Sequence, residues 1–83
     1  MAPAELLAEV RRAPFEAFRL VMSNGATYEI HHPDQCMVMA KSVVVGLSYR
    51  GDDGLIDQTV TLNPWNVLKA ERVGEAVHGH AVA

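Results

Sequence analysis

The chain has 83 residues and a mass of 9.1 kDa, with 49% hydrophobic and 20% charged residues. It is one small domain over 1–83, too apolar for wholesale disorder. Seven Lys+Arg against ten Asp+Glu give a net charge of -3 and a pI near 5.7, which argues against a protein built around non-specific phosphate-backbone binding. A single cysteine, Cys36, excludes an internally stapled disulfide scaffold. The opening MAPAELLAEVRR mixes acidic and basic residues and lacks the apolar centre of a signal peptide. No aliphatic run approaches a membrane span. The expected compartment is the cytoplasm, without membrane partners.

Residues 3–12 read as a short helix. Pro3 suits the first helical position, Glu5 and Glu9 sit early, and Arg11 and Arg12 sit late, complementing the helix dipole. Leu6, Leu7 and Val10 form one apolar edge, and Pro14 ends the helix at or before Ala13. A helix this short needs a surface to lie on.

Residues 17–31 form a hairpin whose turn is decided by register. A two-residue turn at Asn24-Gly25 places Leu20 opposite Glu29 and Phe18 opposite His31, mixing both faces. A three-residue loop, Ser23-Asn24-Gly25 with Gly25 left-handed, pairs Met22 with Ala26, Leu20 with Tyr28 and Phe18 with Ile30. One face is then wholly apolar, and the other sets Arg19 against Glu29 as a cross-strand charge pair. Because a one-residue slip turns every side chain over, the pattern selects the three-residue loop.

His32-Pro33-Asp34 breaks or bends the second strand, since proline cannot donate to a ladder. Extended structure resumes over 36–39, turns at Ala40-Lys41-Ser42 and continues over 43–49. The register of this second hairpin is left open, because its turn has no Gly or Asn to fix it. Residues 50–54 read as a polar hairpin loop. Over 56–62, Ile56, Val60 and Leu62 point inward and Asp57, Thr59 and Thr61 outward, with Gln58 the one polar residue on the inward side. Asn63-Pro64-Trp65-Asn66 reads as a tight 3₁₀ turn. A last strand covers 67–73, and the small, weakly patterned tail 74–83 reads as frayed. The order gives a mainly β fold with one short N-terminal helix: a small antiparallel barrel over 15–73, SH3-like or Sm-like, with the helix over one open end.

Two resemblances follow from these residues. The opening Pro14-Phe15…Phe18-Arg19…Asn24-Gly25…His31-His32-Pro33-Asp34 resembles a group of short uncharacterised bacterial proteins sharing a PFxxFR…NG…HPD pattern, which implies no particular activity. The element order is similar to the Sm-like fold of bacterial RNA chaperones, which implies a barrel that binds RNA as a ring. That family carries an Asp/Asn-bearing signature before its third strand, where this chain has Ala40-Lys41-Ser42. It carries a basic residue with Gly or His before its last strand, where this chain has Asn63-Pro64-Trp65. The resemblance therefore implies the barrel more strongly than the RNA.

The segment His31-His32-Pro33-Asp34-Gln35-Cys36 is rich in potential metal ligands. Adjacent residues on a strand point to opposite faces, so His31 and His32 share an ion only across a sharp bend. The plainer reading puts His31 on the polar face, His32 at a strand end, and Cys36 as a small buried hydrophobe. His78-Gly79-His80 and the aspartates of the 50–54 loop carry still weaker metal signals. No serine sits in a nucleophile context and no loop cradles phosphate, so no catalytic residue and no cofactor are expected. Trp65 packs against the barrel end or, if exposed, anchors a partner. Candidate binding residues are Arg19, His31, His32, Asp34 and Trp65. The expected function is a non-enzymatic module working through a protein partner or as a homo-oligomer. An Sm-like RNA-binding ring is the alternative, and a metal site at His31, His32, Asp34 and Cys36 a weaker third.

Overall fold

A computed structural model describes residues 1–47, 56 and 58–73. The 50–54 loop, Asp57 and the 74–83 tail of the sequence reading lie outside the described residues. Among the described residues the fold is mainly β, with the helix α1 (Pro3–Val10) and six short strands: β1 (Phe18–Met22), β2 (Thr27–Ile30), β3 (Cys36–Val38), β4 (Val43–Gly46), β5 (Thr59–Leu62) and β6 (Val67–Arg72). They form two antiparallel three-stranded sheets, ordered β2-β1-β6 and β3-β4-β5. Among the described residues no ladder of strand pairs closes the two sheets into a barrel.

α1 begins with Pro3, where a missing N–H costs nothing, and Glu5 accepts from the Ala2 N–H at 2.8 Å. The helix ends at Val10, two residues before the expected boundary. Arg11 has left helical geometry (φ -91, ψ 3), with its N–H held by the Leu7 carbonyl at 2.9 Å. Arg11 and Arg12 thus fall beyond the last turn, and Arg12 instead lies 3.7 Å from Glu9 and 3.8 Å from Glu16. Of the apolar edge, Leu6 is buried while Leu7 and Val10 are half-buried. An Arg72–Glu9 ion pair at 2.7 Å, with both side chains mostly shielded, ties α1 to β6. The Met1 nitrogen donates to the carbonyls of Pro64 and Val67 at 2.9 and 2.6 Å.

The first hairpin has the register its apolar pattern requires: Phe18 opposite Ile30, Arg19 opposite Glu29, Leu20 opposite Tyr28. The loop is closed by Met22 N–H to Ala26 O at 2.8 Å and Gly25 N–H to Met22 O at 3.0 Å, with Gly25 at φ 91. The Asn24 side chain accepts from the Ala26 N–H at 3.0 Å, relieving an otherwise unpaired donor. The alternation seals Phe18, Leu20, Met22 and Ile30 into the core, where Leu6, Val43, Val45 and Leu62 meet them. Each such side chain contributes about 1.5–3 kcal/mol by leaving water.

The second hairpin, open in the sequence, pairs Cys36 with Val45 and Val38 with Val43. This register sends Cys36, Val43 and Val45 inward, leaving Met37 and the half-buried Val44 on the outer side. In the described part of 56–62, Val60 and Ile56 are half-buried, Leu62 is buried, and Thr59 and Thr61 are exposed. Gln58 is a correction: it is exposed rather than inward. It precedes β5, so strand alternation does not govern its side chain, and its carbonyl accepts from the Leu47 N–H at 2.8 Å. Asn63 caps the 3₁₀ turn Pro64–Asn66 by accepting from the Trp65 N–H at 2.9 Å.

Candidate functional site

Register decides which charges meet. β1 lies between β2 and β6, so Arg19 stands opposite Glu29 on one side and Glu71 on the other. The Arg19 guanidinium is 2.9 Å from Glu29 and 3.5 Å from Glu71; Lys69 reaches Glu71 at 3.1 Å, and His31 reaches the other Glu29 oxygen at 3.0 Å. The outer face of this sheet therefore carries a continuous row, His31–Glu29–Arg19–Glu71–Lys69. The Arg19 hydrogen bond, then that of His31, holds the Glu29 carboxyl below its ordinary range. Lys69 chiefly, and Arg19 after it, does the same for Glu71. The hydrogen bond to Glu29 raises Arg19 in return. Two cations face two carboxylates when His31 is neutral, so the row is self-compensated and Arg19 is committed to protein carboxylates.

The ligand-rich segment separates. The chain bends through a 3₁₀ turn, Pro33–Gln35, with His32 as its cap: Nδ1 accepts from the Asp34 N–H at 3.1 Å. His31 faces outward beside Glu29, the Asp34 side chain is 83% exposed, and Cys36 is buried in the core. Among the described residues no three His, Cys, Asp or Glu side chains gather as a set able to hold a metal ion. Desolvation pushes the Cys36 thiol up to about 11, leaving it a neutral hydrophobe at physiological pH.

Gln35 was not singled out by the sequence reading, yet among the described residues it is the buried polar one. Its Oε1 accepts from the His31 N–H at 2.8 Å, and its Nε2 donates to the carbonyls of Glu29 and Gly46, each at 2.9 Å. One amide thus joins β2 to β4 and the first sheet to the second across the Pro33 bend. A buried amide is tolerated only when satisfied, and here three of its four hydrogen-bonding positions are used. The only signal in the sequence was a long amide flanked by a Pro-Asp turn and a strand.

Trp65 is 67% exposed, so packing under the barrel end is not what the structure places there. The neighbouring Pro64 takes the buried position instead. Three residues on, Leu68 is 63% exposed. It is the extra residue of a β-bulge, since Val21 pairs with Lys69 and Met22 with Val67. Met37, Met39 and Leu47 are the other exposed large apolar side chains among the described residues. Neither Leu68 nor the Glu71–Lys69 end of the charge row could be located before β6 was known to pair with β1, fifty residues away in the chain. Of the candidate residues, the structure brings Arg19 and His31 together through Glu29, joins His32 to Asp34 in the turn, and sets Trp65 apart.

Among the described residues no helix is long and apolar enough to cross a membrane. Comparison with protein-family models, curated proteins and solved structures gives no match.

Proposed function

We propose that this chain is a non-enzymatic small-barrel module of the SH3-like or Sm-like kind, working through contacts with other protein surfaces, a second copy included. The barrel reading is supported by continuity. β2 runs into β3 through the Pro33–Gln35 turn, β5 runs into β6 through the Pro64–Asn66 turn, and the two sheets share one core. Chain that bends from one sheet into the other in this way is how a partly open barrel joins its two sides. The observation that carries the functional reading is the exposure of Trp65 and Leu68, three residues apart in the chain and each more than 60% exposed. Tryptophan is enriched where interfaces concentrate their binding energy, and a soluble chain gains by covering such side chains. The cytoplasm is the compartment that fits this reading, and the resemblance to small bacterial proteins with the PFxxFR…NG…HPD opening belongs to the same proposal.

RNA binding stays the alternative, and two observations weigh against it. Arg19 is neutralised within its own sheet, and the turns at Ala40-Lys41-Ser42 and Asn63-Pro64-Trp65 depart from the Sm-like pattern. Sedimentation velocity over a wide concentration range tests the protein-contact reading on wild type and on Trp65→Ser/Leu68→Ser. The expected wild-type mass rises above 9.1 kDa with concentration, and the variant associates more weakly with unchanged circular dichroism. Equal association of the two chains would overturn the role given to these two side chains.

A further inference from the structure

We infer that β6 is a homodimerisation edge, pairing antiparallel with β6 of a second copy about a two-fold axis at Ala70. The inference deepens the protein-contact reading above and rests on it.

β6 is an outer strand of its sheet and, at six residues, the longest strand of the described fold. Backbone groups alternate sides along an antiparallel strand. The Val73 N–H donates to the Ala17 carbonyl at 3.2 Å, so Lys69, Glu71 and Val73 turn their groups toward β1. Ala70 and Arg72 turn theirs away from it, and among the described residues these are the spare ones, since the Val67 carbonyl at the start of the strand already accepts from the Met1 nitrogen. A strand with spare donors and acceptors is a template for another strand.

Charge then selects the partner and the register. The outward groups of Ala70 and Arg72 are compatible with two-fold axes at 69, 70, 71 or 72, and an axis at Arg72 opposes Arg72 to itself. Centring on Lys69 opposes Lys69 to itself, and centring on Glu71 opposes Glu71 to itself; directly opposed like charges are destabilising. Centring on Ala70 opposes Lys69 to Glu71 of the second copy, twice by symmetry. It also makes Ala70 opposite Ala70 a hydrogen-bonded pair, as the spare groups require. The outer charge row then continues across the axis with alternating sign: Glu29, Arg19, Glu71, Lys69 of the second copy. The other free edges lack this property. β2 (Thr27–Ile30) carries one charge, Glu29, and β3 (Cys36–Val38) and β5 (Thr59–Leu62) carry none. Leu68, 63% exposed, lies on the edge that pairing would cover. The contact is isologous, so it closes at two chains rather than growing into a fibre.

Light scattering on charge variants reads this register. Lys69→Glu alone and Glu71→Lys alone each place like charges opposite one another twice, and each is expected to lose the dimer. Mixed in equal amounts, they regenerate both opposite-charge pairs, and a two-chain species is expected to return. Cross-linking gives a readout that does not depend on charge reversal. Lys69→Cys mixed with Glu71→Cys is expected to form an intermolecular disulfide, because opposed non-hydrogen-bonded residues sit about 4.5 Å apart at Cα, within the bridgeable range. Either variant alone is expected to form little. A wild-type chain that stays monomeric at every concentration overturns both this inference and the reading it rests on. A wild-type dimer that survives Lys69→Glu and yields no 69–71 cross-link overturns the β6 pairing and leaves the broader reading standing.

Discussion

Replacing Gln35 by Ala removes the amide that joins the two sheets. Three partners lose their bond: the His31 N–H at 2.8 Å and the carbonyls of Glu29 and Gly46 at 2.9 Å each. A typical intramolecular hydrogen bond contributes about 1 kcal/mol net, and a group left buried and unpaired costs about 1–3 kcal/mol. The bond to Gly46 is buried and the other two partly so. Water can reach part of the vacated site, so the expected loss is about 3 kcal/mol rather than the upper sum. A domain of this length is stable by roughly 4–12 kcal/mol, so the loss is a large fraction of the total. Urea denaturation followed by far-ultraviolet circular dichroism measures it. With a slope of about 1 kcal/mol per molar for a small chain, the midpoint falls by about 3 M or the variant is unfolded without urea. Gln35→Glu separates amide loss from cavity formation: it keeps the volume and one acceptor but aims a carboxylate at two carbonyls, and it should be no more stable than the alanine variant. A Gln35→Ala midpoint within about 0.5 kcal/mol of wild type would refute the claim that this side chain holds the sheets together.

Gly25→Val forces a β-branched residue to positive φ at a site with no steric neighbour; the loss is purely conformational, more than about 1 kcal/mol, and Gly25→Asn should cost less. Glu29 and Glu71 are held below their ordinary 4.5 in the folded chain. Their stabilisation is therefore present above that value and lost as pH falls through the lowered ones, and Arg19→Met should flatten the acid limb of a stability-against-pH curve. Cys36, pushed from 9.0 up to about 11 by burial, acts in the opposite sense: its contribution is present below pH 9 and fades as pH rises toward 11. A thiol reagent such as dithionitrobenzoate should label Cys36 far more slowly in native buffer than in urea, and equal rates would contradict its place in the core.

Local pattern carried the first hairpin. Phe18, Leu20 and Met22 alternate with Arg19 and Val21, and only a three-residue loop matches them to Tyr28 and Ile30, so sequence neighbours alone determined register, charge pair and left-handed glycine. The Pro33 bend and the Asn63-Pro64 turn were legible for the same reason, since a proline acts on its own neighbours. What escaped depends on contacts remote in the chain. Arg19 was visible as the partner of Glu29, but its second partner, Glu71, required knowing that β6 lies beside β1. Gln35 is polar in a polar turn, and nothing near it in sequence says that Gly46 will come to its amide. The early end of α1 shows at Arg11, whose φ -91 and ψ 3 depart from the helix before Pro14 is reached. Trp65 was ambiguous because a tight turn buries one of its residues, and here that residue is Pro64 rather than Trp65.

The most direct test of the central claim is the mass of the purified full chain by size-exclusion chromatography with light scattering, with ultraviolet absorbance read across the same peak to separate nucleic acid from protein. The expected result is a protein-only peak heavier than one 9.1 kDa chain, moving toward the monomer on dilution. A ring-sized peak carrying nucleic acid, or a monomer at every concentration, would contradict it.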